Sequence, residues 1–503
     1  MKMEPKFSHQ EPFGLSFQGK HWLLVSNSIS FFVISSSYLV GVIKESFWSD
    51  DYLFLSNLSS SFKDNVADFR PTLATLFRLG FGILNGPTDA WILRALGFLG
   101  LVLLFATVSK GLSRRTNSAL PVFAAAVGFC LPCFQMGVHW AAGWLYTWSA
   151  LLGIVAFDLW VQATKRKIFA VLIMTLALTT YPPFAFFFFA KIAVDNVIGN
   201  ETTKTLLKQI RQGVTLSALS AFASLILAAG FLRFFHVERA ARVSVVGIME
   251  FPQKMYWLIS RPLLSSFRPF QIDSPSPTRA IITAVPIVIV LVIGILHQAK
   301  LLNERFFFRF IAALFSLSLA IAPLIVTSAN QIEFRLISGL SWGITTLVIY
   351  FILQGLGSLG RNPGVPSGLS HLLVFASISS LSLLAVVTTN THYRELFLIP
   401  YQGKTYFINK NIQACPSETK SILVLPPTEI FPTRKRLGVF STITDFSHGG
   451  PIIPNVKLLA RTRFANVEVL LAKNRKIDAI DLNTQNICIL DLEKFRLQLL
   501  KRG

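Results

Sequence analysis

Charged side chains are scarce: 14% of the 503 residues, against about 25% in soluble domains. Too few are present to clothe the surface of a water-soluble protein, so most of the chain needs an apolar surrounding. Cysteine is limited to four residues. Cys130 and Cys133 lie in the apolar stretch Phe-Cys-Leu-Pro-Cys-Phe; no second Cys or His pair completes a metal set, and they read as buried thiols. No internal repeat or low-complexity stretch is present, and the tail 391–503 has no glycine-rich nucleotide loop or catalytic-triad pattern. Acids are outnumbered by bases, 25 to 47, giving a net charge of +22. Nucleic acid is excluded as the reason, because the Lys and Arg sit mostly in short loops between apolar runs, where membrane topology places them.

Apolar residues make up 52% of the chain, with 45 phenylalanines and a mean hydropathy of +0.55. A basic stub of 20 residues precedes the apolar run 21–43, which lacks a small-residue cleavage site and reads as an uncleaved signal anchor. Further spans are expected at 90–110, 119–134, 140–162, 168–181, 183–198, 213–235, 279–298, 306–327, 335–356 and 368–389. Several fall short of the ~20 residues that cross a bilayer straight, and the pair around Tyr181-Pro182-Pro183 also admits a broken arrangement. With the N-terminus inside, alternate loops should be basic. Lys110/Arg114/Arg115, Lys165/Arg166/Lys167, Lys204/Lys208/Arg211, Lys300/Arg305 and Arg361 obey this, and the first outer loop is acidic instead. The expected fold is an all-α polytopic membrane protein of about eleven transmembrane helices over residues 1–390. An odd span count puts the tail, 391–503, outside the cytoplasmic (inner) membrane.

Loop 236–278 is the one basic outer loop, with Arg239, Arg242, Lys254, Arg261 and Arg268 among aromatic and aliphatic residues. It reads as an amphipathic segment in the interface, either resting on headgroups or holding a lipid-linked phosphate. The tail is richer in charge and carries short β-like runs (SILVLPP, VEVLLA, NICIL), predicting a small α/β domain. Cys415 and Cys488 fall within it; in an extracytoplasmic tail they can pair as a disulfide, or stand as separate thiols.

The first outer loop holds Trp48-Ser49-Asp50-Asp51-Tyr52 and Asp68-Phe69-Arg70-Pro71. One reading is a solvated loop with its acids outside. The other is a functional carboxylate pair, in which one member takes a proton from an attacking hydroxyl and its neighbour shifts its pKa or shares a cation. His139, beside Trp140 and Trp144, reads as part of an interfacial aromatic belt or as a platform for a sugar ring.

A basic stub, one helix, an Asp-Asp pair and, some twenty residues on, an Arg-Pro opening an apolar run together resemble the GT-C superfamily of membrane glycosyltransferases. Within it the chain is most similar to the glucosyltransferase II family of O-antigen modification, whose pattern runs from Asp-Asp-Tyr to Gly-Arg-Pro. Asp50-Asp51-Tyr52 and Arg70-Pro71 match, with Phe69 where the glycine is usual. Thr180-Tyr181-Pro182-Pro183-Phe184 and Ser328-Ala329-Asn330-Gln331-Ile332-Glu333-Phe334-Arg335 are also similar, and Gly438-Val439-Phe440-Ser441 with Pro454-Asn455 more loosely so. The Trp-Trp-Asp-Tyr-Gly signature of oligosaccharyltransferases is absent.

The resemblance implies inverting transfer of a hexose, glucose by analogy, from a polyprenyl-phosphate donor to a surface glycan such as lipopolysaccharide O-antigen. It implies Asp50 or Asp51 as general base and Arg70, Arg239, Arg242 and Arg335 as cations for the departing lipid phosphate, with Tyr181 and His139 lining the substrate site. Some members use a divalent cation, and a donor-lipid flippase and synthase are implied as partners. The competing readings are a transporter or flippase of lipid-linked sugars and a polysaccharide polymerase or ligase.

Overall fold

The computed structural model describes residues 20–44, 46, 50–116, 118–162, 164–199, 201–240, 244–268, 270, 277–302, 304–328, 334–359, 366–425, 452–460, 463–464, 467–471 and 486–494. Every apolar run named above is helical. The first is α1 (Lys20–Ile43). Three short helices follow, α2 (Asp50–Ser56), α3 (Leu58–Ala67) and α4 (Pro71–Gly82), and then α5 (Trp91–Thr116). Next come α6 (Leu120–Phe129), α7 (Pro132–His139), α8 (Leu145–Gln162), α9 (Lys167–Thr180), α10 (Pro182–Ala185), α11 (Phe187–Ile198) and α12 (Thr203–Phe234). After α13 (Phe251–Leu258) and α14 (Leu264–Ser266) come α15 (Pro277–Leu301), α16 (Phe306–Leu319), α17 (Ala322–Val326), α18 (Ser338–Ser358) and α19 (Ser367–Tyr393). The chain is an all-α polytopic membrane protein with a small sheet near its C-terminus.

Seven helices among the described residues are long and apolar enough to cross a membrane, or eight if α6 and α7, bent by 61°, form one span. Eleven were expected. The difference lies in α9 and α16, each 14 residues, and in α11, 12 residues. Proline shortens them: Pro182-Pro183 stops α9, and Pro323 separates α16 from α17. A short helix is tolerated at membrane depth where protein rather than lipid surrounds it. That holds for α11, in which every residue is buried.

The breaks are satisfied by side chains. Pro132 interrupts the α6–α7 ladder, and near it Tyr38 Oη donates to the Phe129 carbonyl at 2.7 Å, while Gln135 Nε2 and Thr389 Oγ1 donate to that of Cys130. Ser149 Oγ reaches the carbonyls of Ala177 and Tyr181 at the end of α9.

Two polar ends bound the bundle. At one, Arg309 donates to the Glu201 and Asn196 carbonyls and pairs with Glu304 at 3.2 Å. Glu304 in turn accepts from Thr203 N and Oγ1, at 2.8 and 2.6 Å, capping α12. Lys191 and Arg115 pair with Asp195 at 2.6 and 3.7 Å. Asp158 lies within electrostatic reach of Lys191, Asp195 and Arg115. At the other end, Asp51 meets Ala142, Ala240 N donates to the Ala67 carbonyl, and Val245 bridges Thr327.

The helical path of α19 does not end near residue 390. It passes through a π turn, Arg394–Leu398, into α20 (Ile399–Ala414). Beyond it β1 (Ser421–Leu425), α21 (Ile452–Ala460), β2 (Glu468–Leu471) and β3 (Ile487–Asp491) form a parallel sheet in the order β2-β1-β3, with its own small core. Cys415 and Cys488 are joined as a disulfide that ties α20 to β3. The Gly438–Ser441 segment lies outside the described residues.

Candidate functional site

The site begins where α1 ends. A helix C-terminus leaves carbonyls without partners, and here a buried guanidinium takes them: Arg94 of α5 donates to the carbonyls of Val42, Lys44 and Ser46. Tyr393 Oη adds a bond to the Lys44 carbonyl at 3.1 Å. The exit of α1 is thereby fixed, and α2 starts a few residues later with the Asp-Asp pair. Asp51 is 1% exposed, and its Oδ1 accepts from the backbone N–H of Ala142 at 2.8 Å. Asp50 opens the helix, and its side chain lies outside the described residues. Tyr52 is buried under Lys404, whose Nζ stands 4.7 Å from the ring centre.

Ala142 lies in the short turn Ala141–Gly143, which follows Trp140. The Arg335 guanidinium lies over Trp140, 5.1 Å from its centroid, and over Tyr146 and Tyr181 at 5.8 and 6.0 Å. It donates to Tyr146 Oη at 2.9 Å. Tyr146 and Tyr181 are stacked, 4.1 Å between centroids. Arg70 approaches the same Tyr181 ring, at 5.4 Å. Thus Arg70, Tyr181 and Arg335, expected from three separate segments, gather around one aromatic floor, and Asp51 binds the turn that follows Trp140.

Arg70 occupies the N-cap of α4, with Pro71 at the first helical position. The preceding Phe69 has φ of 59°, the left-handed region that glycine enters without a Cβ penalty. A glycine would sit there without strain. Phe69 packs under Arg239, whose guanidinium is 5.5 Å from the ring centroid. Arg239 is otherwise exposed, and Arg242 and the stretch 329–333 lie outside the described residues.

His139 departs from both expectations for it. Rather than standing at the surface, it is buried between the rings of Tyr38, Tyr393 and Phe397. The physical reason is Gly41: a Cβ there would lie 2.1 Å from His139 Nδ1, so only glycine lets α7 close on α1. His139 therefore packs behind the site.

In loop 236–278, Ile248 and Met249 are more than nine-tenths exposed, as is much of Tyr256, while Lys254 turns inward to lie over Trp257 at 4.3 Å. Apolar side chains outward and a cation inward suit a segment lying on lipid. Among the described residues no three His, Cys, Asp or Glu side chains converge as a metal site.

The sequence reading overlooked Arg94, Tyr146 and Lys404. Arg94 was legible as an ionisable residue in an apolar run. Tyr146 and Lys404 carried no distinguishing signal. No family model matches this chain, and no curated protein matches it.

Proposed function

We propose that this protein is a GT-C-type membrane glycosyltransferase that moves a hexose, glucose by analogy, from a polyprenyl-phosphate donor to a hydroxyl of a surface glycan such as O-antigen. The reading places it in the inner membrane with the N-terminus cytoplasmic and the Asp51 end outward. The observation that carries it is the buried Asp51 carboxylate, oriented by a backbone N–H on the turn that also presents Trp140 to Arg335. Phe69 adds support, because its positive φ falls where the family pattern has glycine.

In this mechanism Asp51 takes the proton of the acceptor hydroxyl as that oxygen bonds to the anomeric carbon. The bond from the anomeric carbon to the phosphate oxygen breaks on the opposite face, inverting the configuration, and the electron pair leaves with the lipid phosphate. Arg70 and Arg335 stabilise that growing negative charge from a fixed position, which costs little reorganisation. The segment around α13 would hold the donor lipid at the interface.

Asp51→Asn and Asp50→Asn are expected to abolish sugar incorporation into the surface glycan with membrane abundance near normal. Arg70→Ala and Arg335→Ala should slow turnover on the lipid donor by on the order of a hundredfold, as for loss of one transition-state donor. Wild-type incorporation in Asp50→Asn, Asp51→Asn and their combination would exclude the catalytic assignment. The transporter reading draws on the buried charges Lys191, Asp195 and Arg309. These are paired near one end of the bundle rather than lining a path across it.

A further inference from the structure

Away from the proposed site, α1 and α5 pack antiparallel and leave a groove of about 480 Å³ between them at the Glu304 end. Its walls are apolar: Leu23 and Phe31 from α1, Phe105 and Ala106 from α5. The polar lining residues, Asn27, Ser109, Lys110, Ser113 and Arg114, lie toward the Glu304 end, and the two cations among them are exposed. The two cations are four residues apart on α5 and so share one face. The adjacent Arg115 is taken by Asp195 and Glu201. Among the described residues Lys110 and Arg114 have no ion-pair partner.

We propose that this groove binds an anionic diacyl phospholipid, with its phosphate on Lys110 and Arg114 and one acyl chain between α1 and α5. The charge gradient sets the orientation: cations at the mouth, hydrocarbon below. The length sets the class. From Arg114 down to Val102, the deepest lining residue of α5, the axis runs about 18 Å at 1.5 Å per residue. One leaflet of hydrocarbon is about 15 Å deep, so an ordinary acyl chain fills the groove and a long polyprenyl chain would overrun it. The site lies at the opposite end of the bundle from Asp51 and does not depend on the transferase reading.

The test is native mass spectrometry of the full chain, stripped of lipid in detergent and offered phosphatidylglycerol and phosphatidylethanolamine of identical chains in equal amounts. Wild type should retain the anionic lipid in preference, on the order of tenfold, since both cations at the mouth favour an anionic headgroup. Lys110→Gln with Arg114→Gln should bring the ratio to near one. Ala106→Trp, which fills the groove and leaves both cations, should lose the retained lipid. Melting curves confirm that each variant is folded. Equal retention of both lipids by wild type, or an unchanged preference in the charge variant or in Ala106→Trp, overturns the proposal.

Discussion

At the scale of single residues, Phe69 is the most informative position. A bulky side chain in the left-handed region costs roughly 1–3 kcal/mol and persists only when its surroundings over-determine it. Here the turn is held by the Asn65 carbonyl accepting from Arg70 N, and by Ala240 N donating to the Ala67 carbonyl. Phe69→Gly should therefore keep the turn and sugar incorporation while melting no lower than wild type. Phe69→Val, β-branched in the same conformation, should lose both, as melting curves and glycan analysis would show. Asp51, Arg70, Tyr181 and Arg335 were legible in the sequence because each belongs to a short pattern of chemically unusual residues. Their convergence was not, since it depends on where four helices end. His139 misled for a related reason: its aromatic neighbours suggest a surface belt, and the glycine that admits it to the interior lies almost a hundred residues away.

At the scale of elements, helix ends decide the architecture. Arg94 is fully buried and satisfies three carbonyls at the end of α1. Replacing it with leucine leaves those acceptors dry, and the loss is expected to reach about 3 kcal/mol or more. Arg94→Lys, with one ammonium in place of a planar fork, should recover only part of the melting temperature. A second end is capped by Glu304. Burial pushes its carboxyl up, but the hydrogen bonds from Thr203 and the charge of Arg309 outweigh burial and hold it below the usual carboxylate range. A depressed carboxylate contributes stability above its unfolded pKa of about 4.3, and loses it as pH falls through the lower folded value. Glu304→Gln should thus melt below wild type at pH 7, by on the order of 1 kcal/mol. Melting scans should show that gap closing as pH drops below about 4. Helix positions were readable from apolar runs, and their breaks from proline. Which helices lie inside the bundle was less readable, because the phenylalanines of α11 would suit lipid equally well. Lys191 and Asp195, spaced for one helix face, were the overlooked sign that α11 is enclosed by protein.

At the scale of the whole molecule, hydrogen bonds and ion pairs tie several loops together at each of two ends, and seven or eight helices among the described residues are long and apolar enough to cross a bilayer. An alkaline phosphatase fused after Gly503 should be active and one fused after Lys165 silent; the reverse pattern would invert the orientation in the proposed function. The sheet of the tail was foreshadowed by its three β-like runs, whereas the boundary expected at residue 390 was set by composition and falls inside a helix. The π turn at Arg394–Leu398 keeps α19 and α20 in one helical run from Ser367 to Ala414. A displacement of the disulfide-tied tail would be carried along this continuous run to Tyr393, whose hydroxyl bonds the Lys44 carbonyl just ahead of the stretch that leads to Asp51.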